Sequence, residues 1–141
     1  YIGISKYPKD KAELAYKYLE ERDIHCLLYQ GKYNLFNREP EEEGILRQAK
    51  ENGTGFIAFS PLAQGLLTEE VLSKIQALNA LAIRRGQTLA EMALAWILKD
   101  DLVTSVIIGA SSVGQLADNL KAMENTAFSA EELESIYQIV K

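Results

Sequence analysis

Two short stretches hold residue types that could cradle a nucleotide. Residues 59–65 are Phe59, Ser60, Pro61, Leu62, Ala63, Gln64 and Gly65, and residues 109–112 are Gly109, Ala110, Ser111 and Ser112. Each follows an apolar run that reads as a buried strand. Small side chains let an anion approach the backbone. A helix starting directly afterwards adds unpaired amides and the positive end of its dipole. Residues 109–112 run straight into a helical pattern, so they suit a phosphate. On local pattern alone they suit an ordinary strand-to-helix turn, with Ser112 as N-cap, better still. Phe59 could stack on a flat heteroaromatic ring or fill core. Gln30 ends an apolar run, and its amide could pair with a carboxamide or with neighbouring backbone.

Other chemistries lack their residues. His25 is the only histidine and Cys26 the only cysteine. A zinc site with several imidazoles and an internal disulfide are therefore excluded by count. On a strand, His25 and Cys26 would point to opposite faces, and Cys26 reads as a small core residue. The acidic run at residues 39–43 complements a helix N-terminus rather than binding a metal. Asp23, Asp100 and Asp101 read as solvated carboxylates at helix ends. None of the seven tyrosines has a Lys and His set nearby in sequence. A formal net charge of −5, with basic residues scattered among acids, argues against nucleic acid as a partner. No run of about 18 apolar residues exists, so no membrane span is expected. No signal peptide is visible, and the lone cysteine suits a reducing compartment, so a cytoplasmic location is expected.

Positioning these residues falls to strands alternating with amphipathic helices. Strands are expected at residues 2–5, 26–30, 55–60 and 103–108. Helices are expected at residues 8–22, 40–52 and 68–85, followed by helices opening at Thr88, Ser112 and Ser129. The inward stripe of the first would be Ala12, Leu14, Ala15, Tyr18 and Leu19. Thr88 with Glu91, Ser112 with Gln115, and Ser129 with Glu132 have capping-box spacing. Long crossovers require a parallel sheet, and uniformly apolar strands suit a sheet covered on both faces. The Gly-rich fingerprint of a doubly wound sheet is missing after the first strand. The fold class expected is α/β: the second half of a TIM (β/α)8 barrel, with about four parallel strands and closing C-terminal helices. At 141 residues the chain is short of the ~250 of a whole barrel. Both outer strands would then present unpaired backbone groups.

The loops taken together resemble the aldo-keto reductases. The likeness is strongest to the branch of potassium-channel β-subunits and bacterial glyceraldehyde 3-phosphate reductase-like enzymes. Residues 3–5, 30–36, 59–67, 108–112 and 115–120 carry it, in that order, and it spans the chain. The resemblance implies that residues 1–141 are the cofactor-binding C-terminal half of such a barrel. It implies that Ser5 and Gln30 hold a nicotinamide carboxamide, with Lys6 beside them where relatives have Asn or Arg. Phe59 would stack on the nicotinamide. Ser60, Leu62 and Gln64 would line the pyrophosphate in a loop completed by Pro61, Ala63 and Gly65. Gly109, Ser111, Gln115, Asp118 and Asn119 would hold the adenosine end, and the family preference is for NADP.

Two departures follow. The family's catalytic Asp, Tyr, Lys and His come from the first half of the barrel, so this chain is expected to carry no catalytic residue. The segment after Leu67 is shorter than the long loop usual in relatives. The resemblance therefore implies an NADP-dependent oxidoreductase that reduces small aldehydes or ketones, with this chain supplying the cofactor half. The competing expectation is an inactive half-barrel acting as a nucleotide-binding or self-associating module. Its partner would be either the missing N-terminal half-barrel or a second copy, meeting it through the exposed strand edges.

Overall fold

Alternating apolar runs and amphipathic helices place four parallel strands side by side in chain order. The computed structural model describes residues 2–62 and 69–141. The strands are β1 (Ile2–Ser5), β2 (Cys26–Lys32), β3 (Gly55–Phe59) and β4 (Ser105–Val106), each hydrogen-bonded to the next. The crossovers are α1 (Lys9–Glu20), then α2 (Glu39–Glu42) with α3 (Ile45–Glu51), then α4 (Glu69–Arg84) with α5 (Leu89–Ile97). After β4 come α6 (Val113–Leu120), a 3-10 turn (Lys121–Glu124) and α7 (Ala130–Val140). This is the α/β architecture expected for half of a (β/α)8 barrel.

The helices cover one face of the sheet. Ile4, Tyr29 and Phe56 stand in register on that face and are buried, as is Ala58. The Tyr29 and Phe56 rings stack with centroids 5.4 Å apart. Ala12, Tyr16 and Leu19 of α1, Leu46 and Ala49 of α3, and Met92, Trp96 and Ile97 of α5 join the same core. Gly31 is required between the aromatics, because a β-carbon there would lie 2.6 Å from the Phe56 ring.

The opposite face is open, which corrects the expectation of a sheet covered on both sides. Ser5, Lys32 and Ser105 are exposed there, while Gln30, Ile57 and Phe59 are half-buried. The reason is geometric: four strands with helices outside form one wall, and among the described residues its concave side has no second layer.

Local departures have local causes. The helix expected over residues 40–52 breaks into α2 and α3 at Gly44, whose φ of +78° turns the chain. In α1, Leu14 and Tyr18 are exposed and Tyr16 is buried instead. In α4, Leu72 is exposed and Leu81 joins Leu78 and Ala82 in the core. β4 has two residues rather than six. The capping boxes at Thr88–Glu91 and Ser129–Glu132 form in full. At Ser112 only half forms: its hydroxyl accepts from the Gln115 N–H, while the Gln115 side chain turns to Ser111.

Candidate functional site

The C-terminal ends of the strands build a common edge. Ser5 lies in register with Gln30, Gln30 with Ile57, and Ile57 with Ser105. One row of the open face therefore presents Ser5, Gln30, Ile57 and Ser105. Two residues further along, Lys32 pairs with Phe59. The Ile107 N–H donates to the Ala58 carbonyl at 2.8 Å, continuing the ladder past β4. Among the described residues, neither the Ser5 hydroxyl nor the Gln30 side-chain amide makes a hydrogen bond. A carboxamide group on this face would find one donor-acceptor pair at Gln30 and a hydroxyl beside it.

Backbone conformation aims the next residues. Lys6 follows β1 with φ +55°, a left-handed geometry that costs a residue with a β-carbon about 1–2 kcal/mol. Its N–H is fixed by the Gln30 carbonyl at 3.0 Å. Its ammonium sits over the Phe59 ring, 4.9 Å from the centroid. Ser60 is likewise left-handed, with φ +52°. Asn34, only 1% exposed, holds it: Nδ2 donates to the Ser60 carbonyl at 2.9 Å, and Oδ1 accepts from the Phe36 N–H at 3.0 Å. Pro61 is buried and Leu62 exposed. Ala63, Gln64 and Gly65 lie outside the described residues.

The loop after β4 is tied to the helix it precedes. Gln115 Oε1 accepts from both the Ser111 N–H (2.7 Å) and the Ser111 hydroxyl (3.0 Å). Gly109 opens onto free space, since a β-carbon there would meet nothing within 4 Å. Asp118 is exposed and pairs with Lys121 at 2.8 Å, so it turns outward. Asn119 is buried, and its Nδ2 has no partner among the described residues. A buried amide donor without an acceptor is costly unless a ligand or water supplies one. That orphan, with the free amide of Gln30, fits a ligand carrying acceptors at both ends.

One polar cluster escaped sequence reasoning. The Tyr33 hydroxyl donates to Glu41 Oε2 at 3.0 Å and receives the Lys99 ammonium at 3.2 Å. Arg38 Nε also donates to Glu41 Oε2, at 3.0 Å. A tyrosine beside a lysine suggests a proton donor. Burial, and then the Glu41 charge, instead push the Tyr33 hydroxyl well above the usual tyrosine range. The cluster lies in the helix layer, against Trp96 and Phe56, so it ties elements together and faces no ligand. Lys99 is 66 residues from Tyr33, and no local spacing signals such a pair. Among the described residues, no group of three or more His, Cys, Asp or Glu side chains could hold a metal. None of the described helices is long and apolar enough to cross a membrane.

With this geometry in place, known proteins can be set beside the chain. The family model described as "Aldo/keto reductase family" matches residues 1–141. L-Glyceraldehyde 3-phosphate reductase of Escherichia coli K12 is 40% identical over 167 positions, covering 98% of this chain and 48% of the relative. A probable voltage-gated potassium channel subunit beta of Arabidopsis thaliana is 28% identical, covering 88% and 47%. The crystal structure of a thermostable aldo-keto reductase with the inhibitor epalrestat superposes with a TM-score of 0.82 at 32% identity. It covers 99% of this chain and 48% of that one. The chain thus spans about half the length of these relatives. The alignment of 167 positions exceeds the 141 residues here, so that relative carries residues with no counterpart in this chain.

Proposed function

The chain belongs to the aldo/keto reductase family, and we propose that it is the cofactor-binding half of an NADP-dependent carbonyl reductase. The observation that carries this reading is the row on the open face. Ser5 and the unpaired Gln30 amide stand in register at the strand ends, with the Phe59 ring beside them. When bound, the reduced nicotinamide would supply a hydride to the carbonyl carbon. Ser5 and Gln30 would orient its carboxamide, and Phe59 would offer a flat face. Asn34 would keep Ser60 and Pro61 aligned along the diphosphate. Ser111, Gln115 and Asn119 would meet the adenosine end. The proton for the carbonyl oxygen would come from the other half of the barrel, where the resemblance puts the family's Asp, Tyr, Lys and His. The name of the 40%-identical relative makes a small phosphorylated aldehyde the first substrate to test.

The partner we propose is a complementary half-barrel. Besides the open sheet face, two flanking helices present apolar side chains: Leu14 and Tyr18 on α1 are 60% and 57% exposed, and Val113 and Leu120 on α6 are 85% and 59% exposed. A soluble, cytoplasmic setting accompanies this reading. Fluorescence titration with NADPH, with NADH alongside, tests the site. NADPH should bind, and the chain by itself should show no turnover of an aldehyde. Failure of both nucleotides to bind would refute the cofactor reading. Turnover by the chain alone would refute the assignment of the proton donor to the other half. The second reading, a self-associating half-barrel, is favoured if sedimentation shows a dimer that binds no nucleotide.

A further inference from the structure

We propose that Lys6 and Lys32 make this face select the reduced over the oxidised form of a nicotinamide cofactor; the inference rests on the cofactor reading above. The oxidised ring carries a positive charge and the reduced ring is neutral, while the rest of the dinucleotide is the same in both. Any difference in affinity therefore reports the charges around the ring. Phe59 alone would favour the cation, since an aromatic face attracts positive charge. Two ammonium groups oppose it. Lys6 Nζ already sits 4.9 Å from the Phe59 centroid. Lys32 is the register neighbour of Phe59 on the adjacent strand, where parallel strands lie about 4.8 Å apart. Both lysines and Phe59 line one cavity of about 400 Å3.

Neither ammonium is ion-paired among the described residues. Glu39 and Glu43 line the same cavity, yet among the described residues neither lysine forms an ion pair or donates a side-chain hydrogen bond. The open-face row beside them, Ser5, Gln30, Ile57 and Ser105, is uncharged. The Glu39 and Glu43 carboxylates offset part of this charge across the cavity, but the two ammonium groups stand next to Phe59 itself, so a ring placed against Phe59 meets them first. At about 6 Å and an effective dielectric of about 40, each disfavours a cationic ring up to about tenfold.

The test is the ratio of dissociation constants for NADP+ and NADPH, measured by calorimetry on the full chain. Variants are Lys6→Gln, Lys32→Gln, the double variant, and Lys11→Gln on α1 as a control. Each single change at the site should lower the ratio several-fold, and the double change by tenfold or more. Lys6→Arg and Lys32→Arg should keep the ratio, and Lys11→Gln should leave it unmoved. High salt should compress the ratio of the unmodified chain and leave that of the double variant nearly constant. A chain that binds both forms, with a ratio unchanged in the double variant, overturns this inference alone. A chain that binds neither overturns the cofactor reading, and this inference with it.

Discussion

The Asn34→Ala substitution should cost about 3 kcal/mol of stability and weaken nucleotide binding together. Asn34 is 1% exposed, so its side chain is held inside the fold and makes both of its bonds there. Two groups lose their partner: the Ser60 carbonyl, held at 2.9 Å, and the Phe36 N–H, held at 3.0 Å. Both bonds are part-buried, with Ser60 exposed and Phe36 half-buried, so each lost bond costs up to about 1.5 kcal/mol, which gives about 3 kcal/mol in total. For a chain of this size that lowers the melting temperature by roughly 10 °C. Urea unfolding and calorimetry measure the loss. Asn34→Asp separates the two bonds, because the carboxylate still accepts from Phe36 but faces the Ser60 carbonyl as acceptor to acceptor. Its carboxyl pKa should rise, so its stability deficit should shrink as pH falls through that raised value and a donating hydroxyl forms. A melting temperature for Asn34→Ala within about 3 °C of the unmodified chain would refute the role given to this residue.

Arg85→Met should destabilise by roughly 3–5 kcal/mol in urea unfolding, because the guanidinium is 4% exposed and serves four acceptors. Those are Gln87, Glu132 and the carbonyls of Asn125 and Ala127. Arg85→Lys should recover little, since one ammonium cannot span them. Glu41 predicts an acid limb. Burial raises its carboxyl pKa, but Arg38, Lys99 and Tyr33 outweigh that and hold it below the ordinary 4.5. A depressed carboxyl contributes stability that is present above its unfolded value and lost as pH falls through the folded value. The urea midpoint should therefore fall below about pH 4.5, and Glu41→Gln should flatten that limb while lowering stability at neutral pH. An acid limb of unchanged slope in Glu41→Gln would assign it to other carboxylates.

The strand and helix order was legible because it is a local signal. Period and capping spacing mark α5 and α7, and both boxes form as the spacing at Thr88 and Ser129 requires. What was not legible depends on the third dimension. Tyr18 and Tyr16 both suit a helix face, and only the packing against β2 and α3 selects Tyr16. The brevity of β4, which pairs with β3 at just two positions, is not announced by the apolar run over residues 103–108. At the site, Ser5, Gln30 and Phe59 are readable as strand-end residues, and register brings them to one face. Asn34 is different: its contact with Ser60 spans 26 residues and follows from a left-handed backbone that no sequence pattern announces. The Lys6 ammonium over Phe59 is hidden for the same reason.

The openness of the concave face separates binding from chemistry. Ser5, Gln30 and Phe59 can meet a ligand because none of the described helices covers them. For the same reason water reaches them, and a partly wet dielectric weakens every polar contact they make. Hydride transfer to a carbonyl gains from a site that excludes water and holds a proton donor near the oxygen. Among the described residues nothing covers this face to exclude water, and the proposed reading takes its proton donor from the other half. A second wall of strands would supply both by one act: it would bury the row Ser5, Gln30, Ile57 and Ser105, and bring its own side chains opposite. If the proposed contacts lie here, affinity for the cofactor should survive in this chain in weakened form. Turnover should require the second wall, because the exclusion of water is a property of the closed barrel and of neither half.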